Sequence, residues 1–363
     1  MDAPGAAGPL EAWGYEQRLG PLLQAHPGLR PARVVAEHAG LFRVVMPELA
    51  LARPTGKLRA RIDDDPLERP VVGDWVVMGP VSPGGESSLL AVLKRRTLLV
   101  RKDPALPQPQ PIAANVDTVF IVAGLGGELQ PRRVERYLAA VHGSGAEPVV
   151  VLTKRDLLSA HEVDEAVATV RALSPGMAVL ALSALEAEGL GALGPWLRPG
   201  GTVALVGSSG VGKSTLINRL LGTEVLATAT LGADGKGRHT TTQRHLVPLP
   251  GGALVVDTPG MRELAPWDAG AGVNQAFPDI DALAAACRFS DCAHASEPGC
   301  EVQVGLQSGA LERARYDAWR KLQAEQRQQA ARRTGGGAAR AGEPATGRAA
   351  RHGPGKRPRK QAK

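Results

Sequence analysis

The sequence predicts a multidomain protein: an N-terminal β-barrel of the OB type, a central α/β domain of the P-loop class, and a C-terminal, mostly helical domain built around a metal site. Three observations predict it. Five short β-type runs crowd residues 31–105, strands and helices alternate after about residue 118, and three cysteines and a histidine cluster ahead of a last helical stretch. At 363 residues the chain is longer than the about 250–300 residues over which a single core usually grows, so more than one folding unit is required.

Residues 1–30 are rich in Ala, Gly and Pro and read as a flexible leader. The barrel is placed at 31–108, from the runs "ARVVAEH", "LFRVVM", "KLRARI", "VVGDWVVM" and "LLAVLKRRTLLV" separated by Pro, Gly and Asp. Such a barrel is compatible with nucleic-acid binding and equally with a generic β-domain. Only Phe42 and Trp75 are aromatic in it, so an RNA contact would rest on Arg and Lys against phosphates rather than on stacked bases. "LPQPQP", Leu106 to Pro111, reads as a Pro-rich connector.

The α/β domain is placed at 109–268. Its strands fall at 118–123, 148–153, 178–182, 202–206, 245–249 and 253–257, with helices between several of them, the mark of a mainly parallel sheet covered by helices. One helix opens at Pro131, where a missing N–H is harmless, and is expected to end before Gly143. The helical domain is placed at 269–331. Its final stretch, from about Ser308 to Arg332, carries Leu311, Ala314, Ala318 and Leu322 at spacings of three and four.

The net charge of +7 is a property of the last segment. Residues 332–363 hold ten Lys/Arg against one Asp/Glu, a net of +9, while the rest holds 33 against 35, a net of −2. That tail, rich in Gly, Ala and Pro, cannot repay its ordering entropy and is expected to be disordered, as a solvated extension or as an arm that binds RNA. No apolar run reaches the about 20 residues of a membrane span, and the N-terminus lacks a secretory profile, so a cytoplasmic protein without a membrane partner is expected.

"GSSGVGKST" matches the phosphate-loop pattern, from Gly207 through Ser208, Ser209, Gly210, Val211 and Gly212 to Lys213, Ser214 and Thr215. It follows an apolar strand and opens a helix. Its backbone N–H groups would ring phosphate oxygens, Lys213 would neutralise β- and γ-phosphate charge, and Ser214 would ligate Mg²⁺. "VVDTPG" adds Asp257 on the Mg²⁺ side and Gly260, whose N–H would face a γ-phosphate. Between them "GKGRHTTT", Gly235 to Thr242, suits a switch loop in which Thr240 or Thr241 completes the Mg²⁺ shell; spacing does not choose between them.

"VVVLTKRDLL" supplies a base reader upstream: Thr153, Lys154, Arg155 and Asp156. The Asp156 carboxylate would accept from the N1 and N2 hydrogens that guanine has and adenine lacks, while the stem of Lys154 covers the ring. Ser183 and Ala184, at the end of the next strand, match the short loop that closes over guanine O6. Base-reading motifs therefore precede phosphate motifs. A sheet permits this, because only the meeting of strand ends at the nucleotide matters, and the sequence describes a circularly permuted GTPase with GTP/GDP and Mg²⁺ as its ligands. A P-loop ATPase or kinase is disfavoured by Asp156.

Cys287-x₄-Cys292-x-His294-x₅-Cys300 offers three thiolates and an imidazole, a closed tetrahedral set of the kind a structural Zn²⁺ prefers. An odd number of cysteines confined to one window argues against a disulfide framework.

The permuted order, the "GRHTTT" switch, the preceding barrel and the cysteine-rich segment after "DTPG" together resemble the ribosome small-subunit-dependent GTPases, the RsgA (YjeQ) family, over nearly all of residues 31–331. The resemblance implies a factor that binds the small (30S) ribosomal subunit and its 16S rRNA late in maturation and hydrolyses GTP to GDP and phosphate when docked. It also implies zinc at the cysteine cluster. The chain is expected to act as a monomer. Thr153 stands where an Asn is commoner and so lacks an amide to brace the loop, and the basic tail is not part of the family pattern. Met261 follows "DTPG", where many GTPases carry a water-orienting Gln; a thioether cannot do that work, and His239, beside the switch threonines, is the alternative catalytic candidate. The competing reading is a zinc-containing RNA-binding factor whose nucleotide site only gates binding.

Overall fold

The computed structural model describes residues 10–15, 29–38, 40–46, 48–81, 86–103, 106, 108–127, 129–222, 245–257 and 270–340. Strands β1 (Arg30–His38), β2 (Leu41–Met46), β3 (Glu48–Pro54), β4 (Trp75–Val81) and β5 (Ser87–Val92) close on themselves in the order β1-β2-β3-β5-β4-β1. The β3–β5 pair is parallel and the others antiparallel. β1 pairs with β4 through Arg30–Arg33 and with β2 through Arg33–His38, and its register shifts between Val34 and Ala36, a bulge of the kind that bends and twists a strand in a small barrel. Inside lie Ala32, Val34, Phe42, Val44, Val76, Met78 and Leu89.

One expected strand is a helix. "KLRARI" falls in α1 (Gly56–Asp64), capped by Thr55, whose hydroxyl accepts from the Leu58 N–H. The alternating pattern mimicked a half-buried strand, but α1 buries only Leu58 and exposes Lys57, Arg59 and Arg61, long unbranched side chains that a helix tolerates well. The fifth barrel strand is β3 instead, "ELALARP". Both barrel aromatics, Phe42 and Trp75, are buried, so neither is available to stack a base. From the expected leader, residues 10–15 pack on the barrel: Tyr15 meets the Trp75 ring edge-on at 5.5 Å, and the Trp13 carbonyl accepts from the buried Arg33.

The run expected as one strand near 89–100 divides into β5 and β6 (Leu98–Lys102), and β6 pairs with β7 (Pro109–Ala114) in a hairpin that takes up the end of "LPQPQP" and spans the 108/109 boundary. The central sheet then holds β8 (Thr118–Gly124), β9 (Glu147–Thr153), β10 (Ala178–Ala181), β11 (Thr202–Val206), β12 (His245–Pro248) and β13 (Leu254–Asp257), in the order β10-β9-β8-β11-β13-β12. The first five run parallel and β12 is antiparallel to β13. Among the described residues the barrel is joined to this sheet by the bridge from Ala36 to His245 and by the Arg33 guanidinium on the Thr202 hydroxyl at 2.8 Å. Apolar side chains fill both faces, as a sheet covered by helices requires.

Helix α2 (Pro131–Ser144) follows β8 and runs past Gly143 to a cap at Gly145, where φ is 82°. Gly143 is a packing residue: a Cβ on Gly272, in α5 (Gly270–Ala276), would meet the Gly143 nitrogen at 2.4 Å, so the two backbones touch. Helix α3 (Ala160–Arg171) follows β9, α4 (Lys213–Leu221) follows β11, and α6 (Pro278–Ala285), α7 (Glu301–Ser308) and α8 (Arg313–Arg340) complete the C-terminal part. The helix expected from about Ser308 starts at Arg313; Ser308 ends α7 instead, with its cap at Gly309, where φ is 77°. Helix α8 continues to Arg340, beyond the Arg332 at which composition placed the tail.

The C-terminal helices are tied to the central domain through Arg315. Its guanidinium grips both Asp279 oxygens at 2.6 Å, Glu135 Oε1 on α2 at 2.6 Å and the Leu173 carbonyl at 2.9 Å. Burial pushes the Glu135 carboxyl above the usual carboxylate range, against the pull of Arg132 and Arg315. Arg315→Met should lower the unfolding free energy by about 3–5 kcal/mol at neutral pH, because Glu135 is left charged and poorly paired. A carboxyl whose folded pKa lies above its unfolded value loses stability as pH rises through the folded pKa, so the deficit should shrink as pH falls and Glu135 takes up its proton. Urea unfolding at neutral and at lower pH tests this; a deficit of equal size at both would show that charge is not its cause.

Candidate nucleotide site and metal cluster

The parallel strands β8, β9, β10, β11 and β13 bring their carboxyl ends to one edge, and the order reverses between β8 and β11, where open α/β sheets form their crevices. The phosphate-loop motif lies at that reversal, from Gly207 after β11 to Lys213 at the start of α4. Gly207 has φ 148° and sits against β8; a Cβ there would come within 2.2 Å of the Val122 carbonyl oxygen. Gly210 and Gly212 also have positive φ, which lets the loop fold back over the helix N-terminus. Lys213 Nζ donates to the carbonyls of Gly207, at 2.8 Å, and Ser208. Two of its three protons thus hold the loop closed. Ser209 is exposed, while Ser214 and Thr215 occupy the first turn of α4.

The base-reading motif follows β9 next to β8. Lys154 takes a left-handed φ of 63°, uncommon for a side chain of that size, and this turns the chain into the 3-10 turn Arg155–Leu157. Asp156 is exposed on that turn, and its carboxylate has no partner among the described residues. Ser183 and Ala184 follow β10, held to the first loop by the Arg155 N–H on the Leu182 carbonyl at 3.3 Å and by an Arg155–Glu188 ion pair at 3.5 Å. The Ser183 N–H donates to the Glu188 carbonyl at 3.0 Å, whereas the Ala184 N–H has no acceptor among the described residues.

Thr153 corrects an expectation. Lacking an amide, it still braces the site: its buried hydroxyl donates to the Val211 carbonyl in the phosphate loop at 2.6 Å and approaches the Ala123 carbonyl at 3.3 Å. One short side chain links the base-reading strand to the phosphate loop. Two arginines that sequence reading passed over also touch these loops. Arg133, at the start of α2, donates to the Ser208 hydroxyl at 2.6 Å, and Arg219, in the last turn of α4, reaches the carbonyls of Ala184 and Leu185. Neither sits inside a motif, so no local signal marks them. His239, Thr240, Thr241, Gly260 and Met261 lie outside the described residues, as does the side chain of Asp257, whose backbone ends β13.

The second cluster is in the C-terminal part. The ligand atoms of Cys287, Cys292, His294 and Cys300 all lie within 4.8 Å of one another and could hold a metal ion. His294 Nδ1 is 3.4 Å from Cys287 Sγ and 3.5 Å from Cys300 Sγ, and those two sulfurs are 3.9 Å apart. A tetrahedral Zn²⁺ with ordinary bond lengths needs edges of about 3.6 Å between sulfur and nitrogen and about 3.8 Å between sulfurs, so Cys287, His294 and Cys300 are spaced as such an ion needs, with Cys292 within 4.8 Å of them. Burial pushes the His294 pKa down, toward the neutral imidazole that a metal requires. The His294 carbonyl accepts from Gln303 Nε2 and from the Tyr316 hydroxyl, each at 2.6 Å, and Glu297 accepts backbone N–H bonds from Ala293, Ala295 and Ser296. These bonds orient the ligand loop. The nearest helices, α6 and α7, only flank the ligands, leaving residues 286–300 without helix or strand.

Comparison with known proteins gives one answer. A family model described as RsgA GTPase matches residues 92–267. The small ribosomal subunit biogenesis GTPase RsgA of Xanthomonas campestris pv. campestris (strain B100) is 45% identical over 308 residues, 84% of this chain and 83% of that one. The protein of the same description from Opitutus terrae is 46% identical over 310 residues, 82% and 83% of the two chains. Among solved structures, YjeQ from Thermotoga maritima matches with a TM-score of 0.61 at 27% identity, over 82% of this chain and 98% of that one. YloQ, described as a circularly permuted GTPase, matches with a TM-score of 0.56 over 84% of this chain and 96% of its own; at 22% identity it supports the fold alone.

Proposed function

The chain belongs to the RsgA GTPase family, and from that premise we propose that it docks on the small (30S) ribosomal subunit late in the subunit's maturation and turns over GTP there, stimulated by the subunit. It is a GTPase, with a guanine nucleotide and Mg²⁺ as the ligands the family implies. The observation that carries the site assignment is the Thr153–Val211 hydrogen bond, which fastens the end of the base-reading strand to the phosphate loop across the permuted order.

On this reading Asp156 and Lys154 hold the guanine and Ala184 offers an N–H to its O6. The N–H groups from Ser208 to Thr215 surround the phosphates, with Lys213 against their charge. Ser214 and Asp257 hold Mg²⁺, joined by Thr240 or Thr241, and Gly260 faces the γ-phosphate. The cysteine cluster holds one structural zinc, its four positions all filled by protein, which leaves none for catalysis. The relatives' description as small ribosomal subunit biogenesis GTPases supports the partner, with 16S rRNA as the surface it meets. No helix of the described residues is long and apolar enough to cross a membrane. We place the protein in the cytoplasm, as a monomer.

Turnover of GTP with and without purified small subunits tests the proposal, with ATP as competitor. Stimulation by the subunit supports it. Binding to the subunit with unchanged turnover would favour a factor whose nucleotide site only gates association. His239 is assigned the role of orienting the attacking water once the subunit orders its loop; subunit-stimulated turnover that survives His239→Ala would remove that assignment.

A further inference from the structure

Arg219 leaves the last turn of α4 and forks two successive carbonyls of the loop after β10, Nε to Ala184 at 3.0 Å and Nη2 to Leu185 at 2.5 Å. This arginine has no carboxylate partner in these bonds; both acceptors are backbone. The loop needs such a hold, because the Leu185 side chain is 67% exposed and anchors nothing. On the other flank the loop is fixed by the Ser183 N–H on the Glu188 carbonyl and by the Glu186 N–H on Ser183 Oγ at 3.1 Å. Those bonds hold Ser183 and Glu186; the Ala184 N–H lies on the Ser183–Ala184 peptide between them, and its direction is set only when the two peptides that follow are held as well. The planar guanidinium does that, since two N–H bonds from one rigid fork fix orientation as well as distance.

We propose that Arg219 is a specificity-positioning residue: by clamping the Ala184 and Leu185 carbonyls it aims the unpartnered Ala184 N–H at O6 of a bound guanine. The inference rests on the base-reading assignment of the preceding section. It has a further consequence for the permuted chain. Helix α4 begins at Lys213 in the phosphate loop and carries Arg219 in its last turn against the base loop, so one rigid element of nine residues sets the distance between the two halves of the site. The Thr153–Val211 bond ties the same halves at the other end of the loop.

The test uses the full-length protein and competition against a ribose-labelled fluorescent GDP, with three unlabelled diphosphates. GDP carries every group; 6-thioguanosine diphosphate keeps the N1 and N2 hydrogens read by Asp156 but replaces O6 with a poor acceptor; inosine diphosphate keeps O6 but lacks the N2 amine. Arg219→Ala should weaken GDP by about 10-fold or more while weakening 6-thioguanosine diphosphate far less, and should leave the preference for GDP over inosine diphosphate intact. Arg219→Gln, which keeps a donor within reach of one carbonyl, should retain part of the lost selectivity and serves where the alanine variant does not fold. Equal weakening of all three ligands in the variant that folds would make Arg219 a structural tie and overturn the proposal. A wild-type protein that does not prefer GDP over inosine diphosphate would instead sink the base-reading assignment, and the Arg219 inference with it.

Discussion

Cys300→Ser is expected to unfold the ligand loop and release the metal while the barrel and the central sheet stand. The substitution nearly preserves shape, so what it removes is a thiolate. Cys300 is 2% exposed, and its carbonyl accepts the first N–H bonds of α7, from Gln303 and Val304 at 3.1 Å. Residues 286–300 have no helix or strand of their own, so on the proposed reading the zinc, with a few hydrogen bonds and the packing of the cysteines on the core, is what opposes their conformational entropy. Structural zinc in comparable small modules contributes about 10–16 kcal/mol of apparent binding energy at neutral pH, far more than the hydrogen bonds to Glu297, Gln303 and Tyr316 can replace. Metal analysis should fall from one zinc per chain toward none, and limited proteolysis should cut between Cys287 and Cys300. Guanine nucleotide affinity should survive, since none of the four ligands touches the loops after β9, β10 or β11. A Cys300→Ser protein that keeps one zinc per chain and resists the protease would refute the structural role of the metal.

The parts legible in the sequence are those whose chemistry demands residue types at fixed spacing. Phosphate binding needs glycines and a lysine within one turn, and a tetrahedral ion needs four donors that a short loop can gather, so Gly207 to Ser214 and Cys287 to Cys300 stand out before any contact is known. The buried strands β8, β9 and β11 are equally plain, because both faces of a parallel sheet are covered and the runs are continuously apolar. Legibility fails where two periods fit the same letters: "KLRARI" alternates like a strand, yet one buried leucine and a threonine cap make it helical. Gly143 reads as a stop and is a packing contact with Gly272, a fact that lives in the distance between two helices far apart in the chain. Arg133 and Arg219 were invisible as site residues for the same reason, and so was the bond from Thr153, a residue its motif does mark, to Val211. Each acts through a backbone carbonyl or hydroxyl dozens of positions away, and nothing in its own neighbourhood records that partner.

Asp156→Asn should convert the preference for guanine into one for xanthine. The carboxylate lies exposed on the turn after β9 with no protein partner among the described residues, so it is open to a base. Guanine presents two donors, N1–H and the N2 amine, to its two oxygens, and each charge-assisted bond contributes about 1.5–3 kcal/mol. Losing the charge and turning one oxygen into an N–H₂ group removes the bond to the N2 amine, places donor against donor there and leaves only a neutral bond to N1–H, so GTP affinity should fall by about 10²–10⁴-fold. Xanthine carries a carbonyl where guanine has its amine. The new amide can donate to it, while the remaining oxygen still accepts from N1–H, so the variant should bind and hydrolyse the xanthine triphosphate. Phosphate and Mg²⁺ contacts are untouched by the exchange. Turnover at saturating xanthine triphosphate should therefore approach that of the wild type with GTP, and the whole effect should appear in KM. A variant that loses GTP without gaining xanthine triphosphate would mean that Asp156 holds the loop rather than the base, and GTP binding that is indifferent to the substitution would place the guanine elsewhere.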